Sequence, residues 1–253
     1  MKKIIALALV LVLCLSLAAC GAKGATLADV KKAGKMTVAT SPDFPPFESL
    51  ENNEVVGIEV EIMKLIAKDL GVEIEFVQMD FDSVLAGIQS AKYDCGMSGI
   101  TRNADREKNM LFTDPYYNAA QVIVVKADSA IKAKADLKDK TVSVQTGTTA
   151  EAGCQDEKIA TKGFTANADA KAALTTGKVD AWVVDNLTAM QMVEESDGLV
   201  ILEEKITEEP YAFAFAMGSE DLVAAINSAL AELIADGTVE GIFNSYGETY
   251  MKP

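Results

Sequence analysis

A strand-like run, a helix-like run and another strand-like run follow one another through this chain, and the rhythm starts twice. Met36–Thr40 is short and apolar. Ile58–Leu70 then places Ile62, Met63, Ile66 and Leu70 on one helical face, and Gly71 stops it. Glu73–Gln78 returns to strand character, Asp82 is placed to cap a helix running through Ala91, and Asp94–Gly99 is again strand-like. A β-α-β-α-β order of this kind forces a largely parallel sheet with helices on its faces. The same order restarts at Thr141–Gln145, with a Gly-Thr-Thr turn, a helix, a second helix over Ala168–Thr176 and a strand over Val179–Asp185. Two apolar runs, Gln121–Lys126 and Tyr211–Met217, frame this second unit, and helices around Leu222–Ala235 and Val239–Ser245 follow it. The pattern predicts an α/β fold of two lobes, the second inserted into the first and joined to it by two hinge strands. Lobe 1 is expected over 35–123 and 216–253, and lobe 2 over 124–215. A hinge of two strands suits a cleft that closes on a ligand.

The N-terminus reads differently. Lys2 and Lys3 precede an apolar run from Ile4 to about Leu17, which gives way to Ala18-Ala19-Cys20-Gly21. A basic start, a short apolar core and small residues make an export signal over residues 1–20, and the run falls short of the ~20 apolar residues of a spanning helix. The alternative is a single N-terminal membrane anchor. Leu17-Ala18-Ala19-Cys20 resembles the bacterial lipobox, which implies that Cys20 becomes the N-terminus and carries lipid. Gly21–Ala28 is small and polar, and the stretch 21–34 is read as a flexible tether.

Without Lys2 and Lys3 the chain has 21 bases against 38 acids, a net charge of −17. That argues against binding nucleic acid or an anionic bilayer through charge. Cys95 and Cys154 fall in different predicted lobes and are read as free thiols. There is no His at all, which removes the commonest general base and the commonest transition-metal ligand.

Four segments could carry chemistry. The chain's only two arginines, Arg102 and Arg106, lie in Ser98-Gly99-Ile100-Thr101-Arg102-Asn103-Ala104-Asp105-Arg106. A backbone N–H, hydroxyls and a guanidinium fork together suit a carboxylate; otherwise this is a polar loop with two surface arginines. Gln145-Thr146-Gly147-Thr148-Thr149-Ala150-Glu151 is a turn opening a helix, with Thr148 and Glu151 at capping-box spacing. It either presents N–H groups to an anion or is an ordinary cap. Asp185 ends an apolar strand, where α/β folds bind ligands, and could hold an ammonium or simply cap the next helix. Phe44 and Phe47 lie on a loop stiffened by Pro45 and Pro46, and Phe81 follows Met79-Asp80. These rings could pack on a ligand's apolar stem or belong to the core.

Taken in order, these segments resemble the amino-acid-binding family of ABC-transporter solute receptors, family 3, which includes the glutamine, histidine and lysine/arginine/ornithine binding proteins. The similarity runs from about Lys35 to Gly247 and includes Gly57-Ile58-Glu59-Val60-Glu61 and the ending Leu230–Thr238. It implies a two-lobed periplasmic-binding-protein fold. It implies that Arg106 forks onto a ligand α-carboxylate, and that Ser98, Gly99 and Thr101 hold the charged groups from the first lobe. It gives Asp185 the α-ammonium, Thr148 and Thr149 a turn donating N–H, Phe44 and Phe81 a clamp on the side chain, and Gln145 a reading position. Ser41, Arg102 and Ala104 depart from common family residues, which touches side-chain specificity. The implied partners are a free amino acid, permease subunits of an importer, and a membrane through lipid on Cys20. The implied protein is monomeric and extracytoplasmic, with no cofactor or metal.

A buried zwitterion needs a partner for each charge, and Arg106 and Asp185 supply opposite ones from different lobes. Two aromatic faces and nearby acids such as Glu48 favour a basic side chain, Lys or Arg, over a neutral polar one such as Gln. The rival readings are an enzyme, since the same fold hosts a dehydratase, and a sensing receptor domain.

Overall fold

The computed structural model describes residues 23–194 and 198–253. The apolar N-terminal run and Cys20 lie outside the described residues. In chain order, α1 (Leu27–Ala33) and β1 (Lys35–Thr40) lead to a small sheet of β2 (Asp43–Phe44), β3 (Glu48–Glu51) and β4 (Glu54–Val56). Next come α2 (Ile58–Leu70), β5 (Glu73–Gln78), α3 (Phe81–Gln89), β6 (Cys95–Gly96), a 3₁₀ turn at Arg106–Lys108 and β7 (Met110–Phe112). The second unit holds β8 (Tyr117–Lys126), β9 (Thr141–Gln145), α4 (Thr149–Asp156), β10 (Ala160–Phe164), α5 (Asn167–Thr175), β11 (Ala181–Asp185), α6 (Asn186–Glu194) and β12 (Leu199–Tyr211). The chain then returns through β13 (Ala214–Ala216) to α7 (Glu220–Ala235) and α8 (Thr238–Ser245).

Two five-stranded sheets form, ordered β5-β1-β6-β13-β7 and β10-β9-β11-β8-β12. In each, three strands are parallel and the fourth runs against them. That fourth strand reaches its sheet from the other lobe: β8 enters lobe 2 from lobe 1, and β13 enters lobe 1 from lobe 2. The two crossings, at 113–116 and 212–213, are bonded to one another. Thr113 N–H donates to Phe213 O and Tyr116 N–H to Tyr211 O. Both crossings fall earlier in the chain than the expected boundaries, because the whole of β8 pairs with β11 and β12. The run expected as one strand, Tyr211–Met217, is cut where the chain changes sheets.

Local chemistry explains the elements. Gly57 has a φ of 138°, and a Cβ there would run into the Phe47 carbonyl, so only glycine lets α2 start this close to the β2–β3 turn. Helix α2 buries Ile58, Ile62, Met63 and Ile66 completely, each worth about 1.5–3 kcal/mol of transfer free energy. Gly71 ends it in the left-handed conformation. Helix α3 begins two residues earlier than predicted: Asp80 is its N-cap residue, without a side-chain cap bond, and Asp82 sits in the first turn. The strand expected over Asp94–Gly99 is reduced to Cys95–Gly96, because the chain bends away at Ser98–Gly99. The stretch read as a tether is also corrected. Thr26 and Asp29 form a reciprocal capping box, Val30 is buried, and Leu27–Ala33 is a helix packed on lobe 1.

Aromatic rings fill the hinge. Tyr117 and Tyr211 face each other across β8 and β12, Phe47 lies 5.1 Å from the Tyr211 ring, and Phe243 stacks on Tyr117 at 4.8 Å. Cys95 and Cys154 are free and buried.

Candidate functional site

In both lobes the cleft is lined from the C-terminal ends of the first and third parallel strands, the position where open α/β sheets present ligand groups. From β1 the chain runs into Ser41–Phe44, and from β6 into Ser98–Thr101. From β9 it runs into Gln145–Thr149, and β11 ends on Asp185. All ten residues singled out from the sequence border one cavity: Phe44, Phe81, Ser98, Gly99, Thr101 and Arg106 from lobe 1, and Gln145, Thr148, Thr149 and Asp185 from lobe 2. Gln121 of β8 joins them. The cavity measures about 10 Å³, room for roughly one water. The lobes are therefore closed on it, and an amino-acid-sized ligand enters only when they part.

Arg106 spans the cleft. Its Nη1 donates to Thr101 O at 2.9 Å and its Nη2 to Gly147 O at 3.2 Å in the opposite lobe. The guanidinium lies 5.6 Å from the centre of the Phe81 ring. Burial lowers its pKa, and Glu209 and Asp185 act the other way. Two of its five N–H donors are thus directed at protein carbonyls. Arg102, four residues earlier, does something else: it bonds Glu107 at 2.6 Å and Thr113 O at 3.2 Å on the outside of lobe 1.

Lobe 2 answers with carboxylates. Asp185 is buried and accepts from Gln121 Nε2 at 2.8 Å and from the Tyr211 hydroxyl. Burial, and then Glu209, push its pKa up to about 7. Glu209 of β12 is also buried, and accepts from the hydroxyls of Thr101, Thr149 (2.7 Å) and Thr207. Thr148 caps α4 by accepting from Glu151 N–H, while Glu151 takes the Gly147 N–H at 2.9 Å.

Three charged or polar groups were not singled out from the sequence. Asp43 of lobe 1 accepts from Asn167 N–H at 2.8 Å and sits 3.3 Å from Gln145 Nε2, both in lobe 2. Burial raises its pKa. Glu209 and Gln121 are the others. Glu48, expected near a ligand's side chain, is instead wholly buried behind the cavity, where it accepts from Ser98 Oγ at 2.9 Å. The Phe pair divides: Phe44 lines the cavity and Phe47 is core. Gly99 has a φ of 52°, and a Cβ there would lie 2.5 Å from the Phe44 ring, so that ring reaches the cavity only over glycine.

Two lobes of equal topology, joined by paired crossings and meeting over opposite charges, define a hinged ligand-binding protein. The profile of the bacterial extracellular solute-binding proteins, family 3, matches residues 36–249, and the chain belongs to that family. The arginine-binding extracellular protein ArtP of Bacillus subtilis is 34% identical over 95% of this chain and 96% of its own length. A mutant of ArgBP from T. maritima superimposes with a TM-score of 0.83 at 36% identity, covering 87% of this chain and 98% of that one. The ancestral amino acid-binding protein described as a precursor of cyclohexadienyl dehydratase gives a TM-score of 0.81 at 34% identity, covering 88% and 99%. Other relatives are named for cystine, histidine and glutamine.

Proposed function

We propose that this protein captures a basic amino acid, arginine or lysine, between its lobes and delivers it to the permease of an ABC importer. The observation that carries the reading is the charge balance around the cavity. Among the described residues around it, Arg106 is the one cation, against Asp185, Glu209 and Asp43. A zwitterion with a neutral side chain leaves that imbalance in a dry site, whereas a cationic side chain reduces it. The kinship with arginine-binding relatives points the same way.

In this reading Arg106 holds the α-carboxylate, with N–H groups at the start of α4 adding donors. Asp185 holds the α-ammonium, with Ser98 and Thr101 beside it. The side chain runs between Phe44 and Phe81 toward Gln145 and Asp43, where rings and carboxylate both favour a cation. A ligand so held contacts both lobes at once and shifts the hinge toward closure. Lipid on Cys20 anchors the chain at the outer face of the cell membrane, as a monomer. The chain binds and does not catalyse. It has no His, and burial pushes the thiols of Cys95 and Cys154 up, the latter to about 12.

The test is a thermal-shift screen of the chain from Ala22 onward, unfolded and refolded to strip bound ligand, against the twenty amino acids and cystine. Ligand at 100 times its Kd adds about 2.7 kcal/mol, roughly 5–10 °C for a chain of this size. A shift with arginine or lysine supports the reading. A shift with glutamine or cystine alone keeps the amino-acid class and overturns the basic side chain.

A further inference from the structure

Behind the Ser98–Gly99 turn lie two carboxyl groups that touch no ligand position. Glu48 comes from β3 and Glu59 from the first turn of α2, and neither is exposed to solvent. Glu48 Oε1 accepts from Ser98 Oγ at 2.9 Å. The two oxygens of Glu59 accept from Gly99 N–H at 3.1 and 3.2 Å, and the Tyr116 hydroxyl donates to Oε1. The two carboxyls are close enough to perturb each other, and burial with the neighbouring Glu59 raises the pKa of Glu48. Two carboxyls this close in a buried site need a proton on one of them.

The surroundings decide which. Glu48 Oε2 is buried and receives no donor among the described residues, as expected of an oxygen that carries a hydrogen. Burial raises the pKa of Glu59 to about 7, but Glu59 has the donors that oppose the rise, and it sits at the start of a helix, where the dipole favours an anion, so it is the first of the two to ionise. The charged and titratable groups facing the pair offer no compensation. Asp43 of β2 repels a charge on Glu48, and Cys95 of β6 and Tyr211 of β12 are themselves held neutral by burial near Glu59. None of the ion pairs among the described residues includes either carboxyl. Two adjacent carboxylates in a dry site without a cation would be prohibitively costly.

We propose that Glu48 and Glu59 hold one proton between them, Glu48 as the acid and Glu59 as the carboxylate, and that this pair is the positioning element that fixes the Ser98–Gly99 turn for a ligand's charged head group. The Ser98 hydroxyl has a single hydrogen, which goes to Glu48 at 2.9 Å in preference to Ser41 O at 3.5 Å. Its oxygen also accepts from Ser41 N–H at 3.2 Å, which leaves one lone pair for the cleft. Ser98 therefore meets the ligand as an acceptor, suited to an ammonium. This positioning role rests on the amino-acid reading; the shared proton does not.

Two measurements separate the parts. On ligand-free protein at about pH 8, above the values of about 7 for Asp185 and Glu59, infrared spectroscopy should show a buried, protonated carboxylic acid that Glu48→Gln removes. The stability curve should agree. Burial and the neighbouring Glu59 raise the folded pKa of Glu48 above its unfolded value, so its contribution is complete below about pH 4.5 and is lost as pH rises toward the folded value. Glu48→Gln should therefore make stability fall less steeply with pH, by one proton. An unchanged spectrum and slope overturn the shared proton, whatever the protein binds. In calorimetry with the amino acid found by the screen, Glu48→Ala should weaken binding by about tenfold or more, and Glu48→Gln should rescue most of that loss. A Gln variant as weak as the Ala variant overturns the positioning role. Should Glu48→Ala not fold, weak binding by a folded Glu48→Gln does the same. Binding of no amino acid by the wild type, with the infrared band present, overturns the functional reading and the positioning role and leaves the proton pair standing.

Discussion

The two lobes share one strand order, yet they hold their sides of the cleft by different means. In lobe 1 the lining turn is backed by a second layer of buried polar groups: Glu48 behind Ser98, Glu59 behind Gly99, Tyr116 behind Glu59. In lobe 2 the charged groups stand at the cleft itself, with Asp185 and Glu209 tied to Gln121, Tyr211, Thr101 and Thr149. Lobe 1 contributes the cation and lobe 2 most of the anions. Equal topology therefore does not imply equal chemistry: the strand ends supply positions, and the residues packed behind them determine which charge each position can carry.

The largest test of this division is Arg106, the cation that reaches across it. Arg106→Ala leaves a ligand carboxylate and the lobe 2 acids without their partner, and should cost about 3–5 kcal/mol of binding, effectively abolishing it in calorimetry. Retained affinity would put the ligand elsewhere. Asp185 should give the next largest effect, and one that depends on pH. Its folded pKa of about 7 means that, in ligand-free protein, it takes up a proton as pH falls below 7. Affinity for a cationic ligand should then drop by up to about tenfold per pH unit below that point. Asp185→Asn should bind weakly and lose this slope; a wild-type profile flat from pH 5 to about 8 would remove Asp185 from the ammonium site. Asp43 is lobe 1's own carboxylate hold on lobe 2. Asp43→Asn should weaken binding by roughly 1–2 kcal/mol, more for arginine or lysine than for glutamine. The smallest effect belongs to Arg102. Arg102→Ala removes solvent-exposed pairs with Glu107 and Asp114 and one bond to Thr113 O, none of them at the cavity, and binding should stay within about 0.5 kcal/mol of wild type.

The lobes also differ in how plainly the sequence announced them. Period-2 and period-3.6 patterns revealed β1, β5, β6, β8, β9, β11 and the longer helices, since burial on one face is what both patterns record, but not the small β2–β4 sheet or the edge strands β7, β10 and β12. The lining residues at strand ends were legible for the same reason: Ser98–Thr101, Gln145–Thr149 and Asp185 each follow an apolar run. Glu209 was not legible. In Thr-Glu-Glu-Pro it reads as a solvated acid, and its burial depends on β12 pairing Glu209 with Ala119 after two register shifts. Asp43 looked like a loop residue because its partners, Gln145 and Asn167, lie over a hundred positions away in the other lobe. Glu48 was assigned to the cleft because a charged residue next to Phe47 suggests exposure. Only tertiary packing shows that the β2–β3 pairing turns it inward. Leu27–Ala33 was missed because a seven-residue helix has little periodicity, although Thr26 and Asp29 carried the capping signal.

The exchange of fourth strands between the lobes also bears on how the chain is assembled. All five strands of lobe 2 lie within one unbroken stretch, from Tyr117 to Tyr211, so that sheet is complete as soon as the stretch has been made. The sheet of lobe 1 has its first three strands and its edge strand β7 much earlier, but β13 must enter between β6 and β7 to join them. A chain emerging from its N-terminus therefore closes the lobe begun second before the lobe begun first. Until Ala214–Ala216 arrive, β6 and β7 each present an unpaired edge, the kind of edge on which foreign strands add. The hinge that lets the mature protein close thus makes its first lobe the last to be protected.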